Sequence, residues 1–363
     1  ASSIQRSGAG SLALNPGGGN VGIGTTTPGE ALTVLGNIDN RASSTVLNLI
    51  GGLGLEFSGA NDVVVAGRYA YVVTNAAPGN EFLIFDVSTS TPSLLGGFEL
   101  GIAGSEIFVS GRYAYIVTAN QVAGDEFFIF DISNPSSPIL MNSIDLGAGG
   151  SDVYVVGRFA YVAQNLSGTS FKIFDISNPT SPQLIGSDAL GGNSVSGVVV
   201  SNGFAYLART GGPLTIMDVR DPSRPSILST LAGFPSTSGL RVAVSGRYAY
   251  VGTANILGGN EFSVVDISNP ISPVILGGFE VGIAISDIYV TGKLAYVASP
   301  GSGGNDLRIL DVSNPLNPIE IGGVELFTSG VFVAGRRIYA TSATVLNAFK
   351  IFDASGLETT SAI

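Results

Sequence analysis

The 363-residue chain has no cysteine, no histidine and no tryptophan, and charged side chains make up only 12% of it, about half the usual ~25%. Each absence closes off chemistry. Without Cys there are no disulfides, thiolate nucleophiles or Cys-based zinc sites. Without His the commonest general base and metal ligand is gone, and with it every Ser-His or Cys-His pairing. Without Trp the chain lacks a favoured sugar-stacking and interface anchor. No apolar run reaches the ~18 residues of a membrane helix, so no membrane insertion is expected. The net charge of −11, with a pI near 4.4, argues against any nucleic-acid partner, because a phosphate backbone needs positive charge. No signal peptide is visible at Ala1, which leaves the compartment open.

Glycine and apolar residues are abundant instead. Gly occupies 51 positions, and 45% of residues are apolar, enough for a large core and too many for a disordered chain. A tyrosine in the pattern V-x-G-R-Y-A-Y recurs at Tyr71, Tyr115, Tyr161, Tyr206, Tyr250, Tyr296 and Tyr339, at steps of 44, 46, 45, 44, 46 and 43. An aspartate in I-F-D-I-S-N-P recurs in phase at Asp86, Asp131, Asp175, Asp218, Asp266, Asp311 and Asp353. Two markers locked together over seven copies define seven repeats.

Each repeat holds four short stretches rich in Val, Ile, Phe and Tyr, such as 107–109, 113–118, 127–131 and 139–146 in the second copy. These are strands, and no helical period interrupts them. Gly111, replaced by Asn202 in the fourth copy, suits a tight hairpin that needs positive φ. The pattern predicts an all-β fold, a seven-bladed β-propeller of four-stranded antiparallel blades. After Asp353 only ten residues remain. Near the start, Leu49-Ile-Gly-Gly-Leu-Gly-Leu55 matches the fourth-strand sequence Leu94-Leu-Gly-Gly-Phe-Glu-Leu100. An N-terminal strand should therefore complete the last blade and close the ring.

The recurring V-x-G-R-Y-A-Y…F-x-I-x-D-I-S-N-P-x-x-P resembles the LVIVD repeat, a propeller-forming repeat of bacterial and archaeal surface proteins. The resemblance covers residues 43–357 and implies a fold and an extracellular setting, but no defined chemistry. Residues 1–40 form an extended Gly/Ser/Thr-rich segment, and 358–363 a C-terminal tail. Within the segment, residues 20–38 resemble a motif of phage tail fibres and bacterial surface fibres. That resemblance implies an assembly arm, carried by Asn20, Val21, Gly22, Ile23, Gly24, Leu32 and Val34, and makes a virion fibre the alternative setting.

Counting nine residues back from each repeat tyrosine reaches Asp62, Glu106, Asp152, Gly197, Arg241, Asp287 and Gly330 on the innermost strands. The carboxylates Asp62, Glu106, Asp152 and Asp287 should ring one mouth of the central channel. Glu81, Asp125, Glu126, Glu261 and Asp306, in loops between second and third strands, should face the same way. Three readings compete for them: a solvated acidic face, a cation site for which Ca²⁺ is the natural occupant, and a docking surface for a glycan or protein. No D-x-D-x-D-G loop is present, so no metal ligands are assigned and no cofactor is expected. Paired carboxylates also suit glycoside hydrolysis, although no sialidase-type S-x-D-x-G-x-x-W box accompanies them. On the other face, Arg68, Arg112, Arg158, Arg247, Lys293, Arg336 and Arg337 lie within reach of the repeat aspartates, and Arg–Asp pairing is expected.

Together these features point to a non-enzymatic structural protein of the cell surface. It would self-assemble into a filament, sheath or fibre as a homo-oligomer or polymer, through its N-terminal segment and propeller surfaces. The alternatives are a monomeric, adhesive binding module for a glycan or protein and, further off, a carboxylate-based glycan hydrolase.

Overall fold

The computed structural model of the protein describes residues 21–23, 32–34 and 45–354, apart from short stretches at 54–58, 77–78, 120–123, 166–167, 232, 235–238, 256–257, 302–303 and 345–347. The chain divides into two compact units, 1–43 and 44–363. In the first, Val21–Ile23 pairs in parallel with Leu32–Val34. Asn20, Gly24 and the tail at 358–363 lie outside the described residues.

The second unit is the expected ring of seven four-stranded antiparallel sheets. In the second blade the strands are Gly104–Ser110, Tyr113–Thr118, Phe127–Asp131 and Ile139–Ile144. The first strand thus begins three residues before its apolar run, and the fourth ends two residues earlier than the sequence suggests. The first hairpin turns on Gly111, at φ 59°. In the fourth blade Asn202 and Gly203 both have positive φ, the Asn-Gly pairing that a tight hairpin favours. The first strands lie innermost, each beside the next, and Thr328–Ala334 of the last blade adjoins Ala60–Ala66 of the first.

There is no single core. Seven apolar clusters fill the seven seams between blades. Each repeat tyrosine is buried in one of these seams, and Tyr115, Tyr161, Tyr250 and Tyr339 each stack on a third-strand Phe, as Tyr161 does on Phe171 with ring centroids 6.3 Å apart. The apolar area buried between blades is therefore what holds the ring together.

A second lock lies further out. Where the central residue of each third strand meets the fourth strand, the fourth strand carries Gly51, Gly96, Asn142, Gly186, Ser229, Gly277 and Gly322. In all of these but Gly322, the next blade's loop between its third and fourth strands presses on this position. A Cβ on Gly96 would come within 2.7 Å of the Pro135 and Ser136 carbonyl oxygens, and one on Gly277 within 2.4 Å of that of Leu316. Where a side chain stands instead, it bonds to the loop: Asn142 Nδ2 donates to the Thr180 carbonyl at 3.1 Å, and Ser229 Oγ to that of Pro270 at 2.7 Å. The Gly-Gly pairs are thus docking notches for backbone.

The ring closes as the sequence implies: Asn48–Leu53 pairs antiparallel with Phe349–Asp353 and supplies the fourth strand of the last blade. A further strand was not anticipated. Thr45–Val46 pairs in parallel with Gly322–Gly323 and becomes a fifth strand on the sixth blade.

Candidate functional site

The structure brings Asp62, Glu106, Asp152 and Asp287 to one level of the central channel, in the same register on their blades. Three of the four spend their oxygens on the backbone. Asp62 accepts from its neighbour Val63 N at 2.7 Å and from Ile107 N of the second blade at 3.1 Å. Asp287 accepts from Ile288 N and from Val331 N of the seventh blade, both at 2.7 Å. Asp152 accepts from Val198 N of the fourth blade at 2.6 Å. Each aspartate therefore clamps its own inner strand to the next one. Gly197 and Gly330 stand where the clamped neighbour carries no side chain of its own.

Glu106, one methylene longer, reaches inward instead. It hydrogen-bonds to Asp62, and its Oε2 lies 3.4 Å from Nη2 of Arg241 on the opposite side of the ring. Arg241 is the cation of this level and performs the inverse clamp: Nη1 donates to the carbonyls of Ser196, on the preceding blade, at 3.1 Å and of Leu240 at 3.0 Å. Its Nε is buried without a partner.

Packing four carboxylates around one guanidinium in a narrow channel raises their proton affinity. Burial is the leading cause throughout. It pushes Asp152 up to about 6 against the pull of Arg241, and Asp287 up to about 7 with the help of the Asp62 charge. Glu106 is pushed well above the ordinary glutamate range by burial and then by Asp62. Asp62 is raised too, less so because it accepts three hydrogen bonds. This level is thus a proton-sharing cluster at neutral pH. Beyond it the channel turns apolar, with Phe108 against Tyr154 and Tyr289 against Phe332 at 4.9 and 4.8 Å between ring centroids. The cavity at this level measures about 320 Å³.

One residue before six of the seven channel positions sits a polar residue that the sequence reading passed over, and only Arg241 is preceded by an apolar one, Leu240. Ser151 Oγ donates to the Val195 carbonyl, Ser286 Oγ to that of Thr328, Ser329 Oγ to that of Ala60, and Asn61 Nδ2 to that of Gly104. Their recurrence in phase with the carboxylates was the available signal. Ser105, Ser151, Ser196 and Arg241 also line an open mouth of about 540 Å³. Among the described residues no three carboxylates converge closely enough to hold a metal ion.

The loop acids are not the solvated face that was one expectation. Glu81, Glu126, Glu261 and Asp306 are all buried. Each caps the chain leaving its own blade's fourth strand. Glu81 Oε2 accepts from Leu100 N and Gly101 N at 2.8 and 3.0 Å, Glu261 Oε2 from Val281 N and Gly282 N at 2.8 and 2.9 Å, and Glu126 Oε2 from Leu146 N at 2.8 Å. Asp306 Oδ2 accepts from Leu326 N and Phe327 N. Backbone amides outcompete water here because the loop has no other acceptor for them. The exposed acids of this side are Glu99, Asp145, Glu280 and Glu325, at the ends of the fourth strands.

On the other face Arg–Asp pairing is present. Arg68, Arg112, Arg158 and Arg247 pair with Asp86, Asp131, Asp175 and Asp266. Each guanidinium also lies over the ring of the next residue, as Arg112 does over Tyr113 at 5.5 Å. The fourth blade has no turn arginine, and Arg220 pairs with Asp218 in its place and covers Phe204. Arg337 departs from the pattern: it donates to the Val87 carbonyl at 2.6 Å and so ties the last blade to the first.

The family model described as the LVIVD repeat matches six segments, 59–98, 101–145, 149–188, 192–232, 238–281 and 282–325. The seventh repeat, split between the two ends of the chain, lies outside these matches. No curated protein matches the sequence. Among solved structures, the β-propeller domain of Myceliophteria thermophila Cps50 (Swd1) is 14% identical, with a TM-score of 0.64 over 85% of this chain and 99% of that one. A chain of the Mitotic Checkpoint Complex is 11% identical, with a TM-score of 0.68 over 88% and 99%. A functionally unknown protein from Desulfotomaculum acetoxidans is 14% identical, with a TM-score of 0.63 over 83% and 95%. At these identities the likeness is one of fold.

Proposed function

The chain belongs to the LVIVD-repeat family, and from that premise we propose that it is a non-enzymatic structural subunit of the cell surface that assembles with copies of itself. One observation carries this reading: an exposed apolar side chain recurs on the outermost strand of six blades. Leu49, Leu94, Leu184, Ile227, Val274 and Ile319 stand on the fourth strands of six different blades and are largely exposed, Leu94 by 58%. Contiguous apolar patches on a soluble surface mark contact sites, and in a chain with only 12% charged residues few charges separate these positions. Fourth strands are also sheet edges, which pair readily with other strands. The fibre-like motif at 20–38 fits the same role as an assembly arm. An extracellular filament, sheath or fibre is the setting this composition suits.

The test is the mass of native particles by light scattering, with negative-stain imaging, for the wild type and for the triple variant Leu94→Lys, Leu184→Lys, Ile227→Lys. These exposed positions should leave the unfolding midpoint almost unchanged. Wild-type oligomers or filaments that dissolve into discs of 36.9 kDa are the expected result. A wild type that is monomeric at high concentration overturns the reading.

A second reading, a binding module for a glycan or protein, rests on the open channel mouth lined by Ser105, Ser196 and Arg241. It requires a ligand whose affinity falls in Arg241→Ala, and a broad glycan array with no retained ligand counts against it.

A further inference from the structure

Alternation along the inner strands returns every second side chain to the channel. Two residues beyond the carboxylate level lies a second level, in which each residue stands opposite its blade's repeat tyrosine. Four of its seven members are aromatic, Phe108, Tyr154, Tyr289 and Phe332, and the other three are Val or Ala. All seven are half-buried, whereas the repeat tyrosines behind them are buried. They form a collar that leaves ring surface exposed to the channel. A third level, next to the hairpin turns, holds no side chain larger than Val or Thr, so short residues line the way in from that face. Around the entry Arg68, Arg112, Arg158 and Arg247 are each paired with an aspartate.

The cavity of about 320 Å³ spans the carboxylate level and the collar. Small-molecule sites of this size combine mostly apolar walls with a few convergent polar groups, and the space equals that of about ten water molecules. The charge at its inner end is lopsided: Asp62, Glu106, Asp152 and Asp287 face the single guanidinium of Arg241. Both Nη atoms of that guanidinium are already engaged, by the Ser196 and Leu240 carbonyls and by Glu106, which leaves little for an anion. A bare metal ion is equally ill-served, because among the described residues the carboxylates do not converge on one point. A diffuse cation needs no such convergence, and the faces of aromatic rings attract it through their quadrupole.

We propose that this part of the channel binds a small organic ammonium ion, its alkyl groups against the collar of Phe108, Tyr154, Tyr289 and Phe332 and its charge toward the four carboxylates. The site lies on the other side of the carboxylate level from the mouth lined by Ser105 and Ser196, and it stands independently of self-assembly. Both oxygens of Asp62 and of Asp287 accept from backbone amides, so these groups offer negative potential rather than free acceptors. An ammonium shielded by alkyl groups, with no N–H to satisfy, is matched to that offer. Protons compete for the same negative charge. Asp152 and Asp287 are pushed up to about 6 and about 7 by burial, and Glu106 is pushed well above its ordinary range. Burial also pushes the Tyr154 and Tyr289 hydroxyls up, so they stay neutral. Binding should therefore strengthen as pH rises from 5 to 8.

The probe is choline, set against its neutral analogue 3,3-dimethyl-1-butanol, in which carbon replaces the charged nitrogen. Isothermal titration calorimetry on the full chain at pH 8 and pH 5 compares the wild type with Asp152→Asn and Tyr289→Leu. Asp152→Asn removes a charge yet keeps an oxygen to accept from Val198 N, and circular dichroism reports whether each variant is folded. Choline is expected to bind the wild type at pH 8, about tenfold more weakly at pH 5 and about tenfold more weakly in each variant, with the alcohol also about tenfold weaker than choline. No heat from choline at millimolar concentration overturns the proposal. Equal affinity for the alcohol overturns it as well, since the charge would then contribute nothing. Wild-type affinity in either folded variant places any bound choline elsewhere on the molecule and has the same consequence.

Discussion

Asp287 allows the channel to be tested through pH. Its carboxyl titrates near 7 in the folded protein and near 3.8 when the chain is unfolded. Between those values the folded state binds a proton that the unfolded state has released, so stability falls as pH rises across the window. The shift is about three pH units, and at 1.36 kcal/mol each the loss between pH 4 and pH 8 is at most about 4 kcal/mol. Asp152, near 6, acts in the same direction over pH 4–6. The surface aspartates act oppositely. Asp131, Asp218 and Asp266 are held near 2, the first two chiefly by their arginines and Asp266 chiefly by Ser268, so their contribution is present above pH 4 and lost as pH falls toward 2. The two limbs place maximum stability near pH 4–5. Asp287→Asn removes one contributor to the upper limb but forfeits one acceptor for Ile288 N or Val331 N, a cost of about 1 kcal/mol. Unfolding in guanidinium from pH 3.5 to 8 should give curves that cross near pH 4.5, with the variant weaker by somewhat under about 1 kcal/mol at pH 3.5 and stronger by about 3 kcal/mol at pH 8. Parallel curves would show that Asp287 is ionised in the folded state throughout, and the proton-sharing account of the channel would be wrong.

Two further predictions follow from the same geometry. Arg241→Met removes the cation facing four carboxylates and should cost about 3–5 kcal/mol at pH 7.5, with much of the loss recovered at pH 5; an equal loss at both values would refute its electrostatic role. Glu126→Ala strands Leu146 N in a buried loop and should cost about 1–3 kcal/mol, whereas a change within 0.5 kcal/mol in chemical denaturation would restore the solvated-face reading of the loop acids.

Some of this was legible without coordinates. The phase-locked Tyr71-to-Tyr339 and Asp86-to-Asp353 series set the blade count and the strand order. They also aligned the seven channel positions, because a count of nine within a hairpin of fixed register is local geometry. The repeat tyrosines read as packing residues, and they are buried in the seams. Arg68, Arg112, Arg158 and Arg247 beside their hairpin turns and the aspartates closing the third strands belong to adjacent strands of one blade, so their pairing was also within reach.

The sequence by itself determined whatever a single repeat encodes: four strands, their turns, and which residues share a blade. Only the tertiary structure decided what happens between blades. Asp62 and Asp287 read as free carboxylates because the amides they clamp, Ile107 N and Val331 N, lie 45 and 44 residues away. Arg241 meets Glu106 across 135 residues, an approach set by the closure of seven blades and written in no local pattern. Glu81 and Glu261 have the composition of solvated loop residues, and only the path of the chain leaving the fourth strand buries them. The fifth strand at Thr45–Val46 has the same origin. It pairs with Gly322–Gly323 of the sixth blade, 277 residues along the chain, a contact that no repeat taken alone contains.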